Sequence, residues 1–287
     1  MNRMIYILAC LCLMMVSCQE QSLEDVSQKG RTVIDCDIES LLLEGSSERL
    51  WPEGAMIGVY GSEKGNNTPF YLKNADANLK RGEFYGQEVC GDKISAYYPY
   101  NPTYSASVDA YSVLLSPMQE YIAEDPVIIF QNHCPKAFAV MTNESLRFEY
   151  PFGMLCFRVE LEETVIVNKV VVKAEQTLAG SGKVYSDGLK MDAGANLSAT
   201  LDCKNVQSRD AEGNFVDFYM VINPGLYQGL KIEFYVDGET TPLLCTVNQA
   251  EVPRIGAESF TLLSITVKNS SPEGFVGEKV EFDVEEE

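Results

Sequence analysis

Alternation of apolar and polar residues runs through most of this chain. In Leu230–Val236, Leu230, Ile232, Phe234 and Val236 alternate with Lys231, Glu233 and Tyr235. In Leu155–Leu161, Leu155, Phe157, Val159 and Leu161 alternate with Cys156, Arg158 and Glu160. In Asn168–Ala174, Val170, Val172 and Ala174 face one way and Lys169, Val171 and Lys173 the other. Successive side chains of a strand point to opposite faces, so this period puts one face in a core and the other near water. Shorter runs are Met56–Tyr60, Ile94–Tyr98, Tyr111–Leu115, Val127–Phe130, Leu146–Tyr150, Leu197–Leu201, Phe215–Ile222 and Phe260–Val267. Turn signals separate them. Ser186-Asp187-Gly188-Leu189, between Lys183-Val184-Tyr185 and Leu189-Lys190-Met191, predicts a tight hairpin. Asp237-Gly238 and Asn223-Pro224-Gly225 mark further turns. No amphipathic helix of about twelve residues or more is legible. Many short strands predict an all-β fold of sandwich or barrel type. The chain is long for one sandwich, so two are expected, with the boundary at Pro151-Phe152-Gly153.

Ahead of this pattern stands Met1–Cys18, MNRMIYILACLCLMMVSC, with Arg3 before an apolar run from Met4 to Val16. Such a run behind one positive charge is an export signal, too short to span a bilayer. The ending Met15-Val16-Ser17-Cys18 resembles a bacterial lipobox with Met15 where Leu is usual. That resemblance implies a lipid on Cys18 and removal of the leader; the alternative is an ordinary secretory leader or an uncleaved anchor. A diacyl or triacyl group would hold the protein on a membrane without a second hydrophobic segment.

The whole chain has 22 basic and 42 acidic residues, a net charge of −20. The leader holds Arg3 and no acid, so the chain without it is one unit more negative. Phosphates would be repelled, which argues against nucleic acid and anionic lipid as partners and suits a solvated, secreted surface. Beyond the leader lie Cys36, Cys90, Cys134, Cys156, Cys203 and Cys245, with no CxxC spacing of a zinc site. Export permits disulfides. Cys36, Cys156 and Cys245 nevertheless sit inside apolar strand-like runs, where buried thiols are favoured.

Two terminal segments are self-contained amphipathic strands. Near the start, Ile34, Cys36 and Ile38 alternate with Asp35 and Asp37, followed by Leu41–Leu43 and the loop Glu44–Arg49. At the end, Val280, Phe282 and Val284 alternate with Glu281, Asp283 and Glu285. Each is either an ordinary edge strand or a strand exchangeable between subunits, added to another chain's open edge through main-chain hydrogen bonds.

Six segments follow one another along the chain: Trp51-Pro52-Glu53-Gly54-Ala55-Met56-Ile57-Gly58-Val59-Tyr60, Ala96-Tyr97-Tyr98-Pro99-Tyr100, Ser116-Pro117-Met118-Gln119, Leu146-Arg147-Phe148, Gly153–Val159 and Asn223-Pro224-Gly225-Leu226-Tyr227, with Gly256 before the late strand. Together they resemble the fimbrillin-like (Mfa-like) family of Bacteroidales surface lipoproteins, of the type V pilin superfamily. The departures are Ala55, where the family usually has an acid, and His133-Cys134-Pro135. The resemblance implies two tandem transthyretin-like β-sandwich domains, 19–150 and 151–287, behind the signal peptide 1–18. It implies a surface-exposed outer-membrane lipoprotein of a fimbrium, with other fimbrial subunits and a host or bacterial surface ligand as partners. In processed members an arginine-specific protease cuts after the first strand, and a terminal strand of the next subunit fills the opened groove. The matching position here is Arg49. Cleavage there would remove 19–49, with Ile34, Cys36 and Ile38 as the removable strand and Val280, Phe282 and Val284 as a donor strand. The alternative for Arg49 is an ordinary loop arginine, and the donor could instead be the new N-terminal segment. The fimbrial reading further predicts a first strand held mainly by side-chain packing.

No enzyme chemistry or cofactor is selected by the sequence. His133 is the single histidine and lies beside Cys134 and Pro135 without a catalytic motif, so a loop or half-buried histidine is expected. One histidine cannot build a His-based zinc or iron site. Gly180-Ser181-Gly182-Lys183 is followed by Val184, so it is a turn and no phosphate loop. Asn74, Asp76 and Asn78 begin with calcium-loop spacing, but Leu79 stands where the loop needs Gly. Tyr97, Tyr98, Tyr100 and Tyr104 are better read as core than as a sugar platform. The reading is a non-enzymatic fimbrial subunit or accessory. The rivals are a surface glycan-binding lipoprotein, which predicts exposed aromatic pairs on one sandwich face, and a glycoside hydrolase, which needs two acids converging in a cleft.

Overall fold

The computed structural model describes residues 31–38, 51–75, 81–124, 126–134, 136–142, 145–161, 163–248, 255, 260–267 and 277–283. Among them nearly everything regular is strand, as the alternation predicts. In chain order the elements are β1 (Arg31–Ile38), β2 (Met56–Gly61), β3 (Thr68–Ala75), β4 (Arg81–Gln87), β5 (Ile94–Tyr98), β6 (Tyr111–Leu115), β7 (Met118–Glu120), α1 (Pro126–His133), β8 (Ala137–Thr142) and β9 (Ser145–Glu149). After Pro151, where the sequence reading sets a boundary, come β10 (Gly153–Glu160), β11 (Ile166–Lys173), β12 (Gly180–Tyr185), β13 (Gly188–Met191), β14 (Ser198–Gln207) and β15 (Asp217–Ile222). The last four are β16 (Gly229–Val236), β17 (Leu243–Asn248), β18 (Phe260–Val267) and β19 (Gly277–Asp283).

In the N-terminal half the strands close into a seven-stranded barrel, in the order β1-β4-β3-β2-β5-β8-β9, where the sequence suggests a sandwich. Closure comes from β1, which finds β4 on one side and β9 on the other. Inward-pointing Ile34, Ile57, Val59, Phe70, Phe84 and Phe148 fill the interior.

In the C-terminal half a four-stranded sheet, β15-β10-β18-β19, faces a five-stranded one, β17-β16-β11-β14-β7. Leu155 and Phe157 of β10 and Phe218 of β15 share one core with Val170 of β11, Leu201 of β14 and Phe234 of β16. Two inner faces interdigitating over a common core make a sandwich. A third sheet, β13-β12-β6, lies on the barrel wall, where Tyr111 packs with Tyr60, Tyr97 and Phe138. Gly58 makes room for this layer: a Cβ there would lie 2.2 Å from the Tyr97 ring.

Strands cross the Pro151 junction. β6 pairs with β12, and β7 runs parallel to β14. Gln119 of β7 is buried, and its side-chain amide spans to the other sheet. Its Nε2 donates to the Val221 carbonyl at 2.6 Å, and its Oε1 accepts from the Val221 N–H at 2.9 Å. One residue thus fills the edge of β15 as a strand would.

The run Val127–Phe130, expected as a strand, is helical within α1. A short apolar run does not by itself distinguish the two states. Pro126 suits the first helical position, and Ile129, Phe130 and Cys134 are buried together on the barrel's core cluster. The predicted hairpin forms: Tyr185 pairs with Gly188 across Ser186-Asp187, and Gly188 has φ +117.

Candidate functional site

The site that the sequence points to is the first strand and the slot it occupies. β1 pairs antiparallel with β4 from Arg31↔Gln87 to Asp37↔Arg81, and parallel with β9 from Asp35↔Ser145 to Ile38↔Phe148. The fimbrial reading predicts a first strand held mainly by side-chain packing; two backbone ladders hold it as well. The correction has a plain cause: a strand inside a closed barrel has a neighbour on each side.

The alternation of β1 decides which side chains face the core. Ile34 is 2% exposed and Cys36 fully buried, while Val33 and the acids at 35 and 37 face outward. Burying an isoleucine side chain contributes about 1.5–3 kcal/mol. Outside, Arg81 Nη2 binds Asp35 Oδ2 at 2.7 Å. The Thr32 hydroxyl accepts from the Val89 N–H at 3.3 Å. Burial, and then the adjacent Asp35 and Asp37 charges, push the Cys36 thiol well above its ordinary range. It stays protonated and serves as a small apolar group.

Beside this strand the chain re-enters at Trp51, which is 1% exposed. Its ring meets Phe84, Tyr98 and Phe148 edge-on, with centroids 4.8, 5.1 and 5.3 Å away. Gly82, opposite Cys36 in the ladder, leaves space for it: a Cβ there would lie 3.3 Å from the indole and 2.7 Å from Leu72. β1 and Trp51 therefore cover the same aromatic interior from adjacent positions.

Cys18 and Arg49 lie outside the described residues, and so does Val284. Ile38 ends β1 opposite Phe148. Val280 and Phe282 lie on β19, opposite Ile265 and Leu263 of β18. β19 is the outermost strand of its sheet, with one edge free of strand pairing among the described residues. The candidate removable strand and the candidate donor strand thus lie in different sheets, and the fold does not bring them together within one chain.

The residues weighed for other chemistry are spread across the fold. His133 ends α1, with Nε2 3.3 Å from the Glu120 carbonyl, and burial holds its pKa below the usual histidine value. Cys36, Cys134, Cys156, Cys203 and Cys245 are buried thiols, and Cys90 is half-buried. Burial pushes Cys156 and Cys203 up to about 12. Glu233 and Asp217 are committed to ion pairs, with Lys173 at 2.8 Å and Arg158 at 2.7 Å. Among the described residues no group of three His, Cys, Asp or Glu is arranged to hold a metal ion. Asn74 is on β3, while Asp76, Asn78 and Leu79 lie outside the described residues. Tyr97 is fully buried, Tyr98 packs on Trp51, and Tyr100 and Tyr104 pack around Tyr97, so this run is core.

Two features have no role that the sequence assigns. Gln119 stands in a quoted motif, but its bond to Val221 crosses about a hundred residues and leaves no local signal. Tyr71 and Tyr85 are adjacent on the barrel's outer face with ring centroids 5.9 Å apart, a pairing that needs the register of β3 on β4.

Sequence comparison finds no matching family profile and no matching curated protein. Solved structures share the fold. A candidate cell-adhesion protein of Bacteroides uniformis superposes with a TM-score of 0.54 at 17% identity, covering 90% of this chain and 98% of its own. One from Bacteroides ovatus gives 0.51 at 15% identity, covering 89% and 98%. The tip fimbrial protein Mfa3 of Porphyromonas gingivalis is also matched, at 0.46 and 8% identity, over 88% and 98%. The first two of these matches share the fold of this chain.

Proposed function

We propose that this protein is a surface lipoprotein of the fimbrillin-like kind, a fimbrial subunit or accessory in cell adhesion that assembles by strand complementation. Cys18 carries the lipid, residues 1–18 are the leader, and 19–150 and 151–287 are the two transthyretin-like units. The supporting observation is that β1 closes the barrel. Release of residues 19–49 by cleavage at Arg49 takes β1 away. It leaves the facing edges of β4 and β9 unpaired and the interior around Phe84, Phe148 and Trp51 open to water. An open slot with two unpaired edges and an apolar floor favours capture of a strand from another subunit. β19 is a suitable donor because it is the outermost strand of its sheet among the described residues.

The test is digestion of purified Gln19–Glu287 with an arginine-specific protease, followed by mass and size-exclusion. The expected result is preferential cutting at Arg49 and a ladder of oligomers. A chain that is cut there and stays monomeric overturns strand complementation. Phe282→Asp in the same assay should stop the ladder and leave the monomer folded; unchanged polymers would move the donor role to the new N-terminal segment.

A further inference from the structure

One pattern occurs near both ends of the chain and nowhere between them. Ile34-Asp35-Cys36-Asp37-Ile38, in β1, and Val280-Glu281-Phe282-Asp283-Val284, which begins on β19, both read apolar, acid, apolar, acid, apolar; no other run of the sequence does. In β1 the pattern has a visible use. Ile34 and Cys36 are buried in the barrel interior, while Asp35 and Asp37 lie on its outer wall. There Arg81 Nη2 of β4 binds Asp35 Oδ2 at 2.7 Å, and Arg81 stands opposite Asp37 in the ladder. One cation thus lies against both acid positions of the strand.

We infer that the C-terminal strand of a second copy enters the β1 slot in the register of β1 itself, with Val280, Phe282 and Val284 at the places of Ile34, Cys36 and Ile38, and that Arg81 selects this strand through Glu281 at the place of Asp35. The inference rests on the strand-complementation reading and adds to it a register and a specificity-determining residue. The shared pattern permits a single register. A slip of one residue turns the acids into the core. A slip of two, either way, carries Glu278 or Glu286 to a core position. In the reverse direction Glu285, Glu286 and Glu287 would lie along the ladders in place of Val33, Thr32 and Arg31; in the direction of β1 they run past Ile38. Main-chain pairing favours the move as well. Among the described residues β19 pairs on one side, with β18, whereas the slot offers ladders to β4 and β9. Phe282 exceeds Cys36 by a ring. Gly82 faces that position without a side chain, and Trp51 stands beside it. A cut after Arg49 leaves Trp51 second from the new N-terminus, so it can re-seat around the ring. The Arg81–Asp35 pair is solvent-exposed, so the cation acts on encounter and choice of strand more than on holding strength.

The test follows polymer growth of Gln19–Glu287 cut by the arginine-specific protease, read by light scattering at low salt. Arg81→Glu and Glu281→Lys should each slow growth roughly fivefold, and the double variant should return to within about twofold of the parent. The differences should fade in about 1 M salt. In a second measurement, polymers carrying a photo-reactive phenylalanine analogue at position 282, with Arg81 and Glu281 intact, should cross-link to Gly82, Leu146 and Trp51 of the neighbouring subunit, read by peptide mass. Growth unmoved by either reversal, no recovery in the double variant, or cross-links centred on other positions overturns the register and the role of Arg81, and leaves strand complementation standing. Cut chains that fail to polymerise overturn both.

Discussion

Three side chains carry testable consequences on their own. Trp51 is the single tryptophan and touches three aromatic rings in the barrel interior. Trp51→Ala should destabilise the fold by about 3–5 kcal/mol in denaturant unfolding, the usual cost of emptying a large buried ring. Gln119→Leu removes both partners of the Val221 backbone and should cost about 1–3 kcal/mol, because a buried N–H and C=O lose their bonds together. A cost well below that range would mean water replaces the amide. Glu233 is held below the usual carboxylate range, first by its hydrogen bond from Lys173 and then by Tyr235, while burial opposes. A carboxyl with a lowered folded pKa contributes stability that is present above its unfolded value, near 4.5, and lost as pH falls through the lower folded one. Acid titration of unfolding should therefore be flatter below pH 4.5 in Glu233→Gln than in the parent. Trp51 and Glu233 can be read from sequence as apolar-run neighbour and strand polar position. Their partners cannot, since Phe84, Phe148 and Lys173 lie far along the chain.

At the scale of the element, β1 is the keystone, and its removal should be visible through Trp51. A charge at Ile34 meets a core that offers no partner, so Ile34→Asp should loosen β1 and shift Trp51 emission to the red at neutral pH. Unchanged emission and melting would mean that the ladders to β4 and β9 suffice to hold the strand. The alternation in Val33–Ile38 makes the strand and its buried face legible. The closure cannot be read from alternation, because the pattern specifies faces and is silent about edges. β5 shows a related limit. Ser95, Ala96 and Tyr97 are all fully buried, because the layer around Tyr111 covers the barrel wall that alternation would leave to water. α1 is the opposite case, a short apolar run whose state is set by Pro126 and by the surface it has to cover.

For the molecule as a whole, the boundary expected at Pro151 does not separate the core cleanly. β6 and β7 come before it and complete sheets built after it, and Met154 and Val221 from the later half join the barrel's core cluster. The fragment Gly153–Glu287 expressed alone should lack a cooperative unfolding transition, since β14 loses the strand on its open edge and β15 loses the Gln119 seal. A sharp transition equal to that of the full chain would make 153–287 an independent folding unit. The surplus of acid over base is legible from composition alone and bears on solubility and partner choice, with no bearing on which strands pair.

The sequence by itself determined that the chain is β, where most strands run, which side chains face a core, and where the tightest hairpin turns. Those properties depend on neighbours one to four residues apart, and the period-two pattern records them directly. The tertiary structure alone decided that the first half closes into a barrel, that β1 rather than an edge strand closes it, that Gln119 seals β15, and that Tyr71 and Tyr85 stand side by side. Each of those depends on the register between strands remote in sequence. The apolar pattern fixes which face of each strand is buried, but main-chain hydrogen bonds let any strand edge pair with any other, so local pattern cannot specify which remote strands become neighbours.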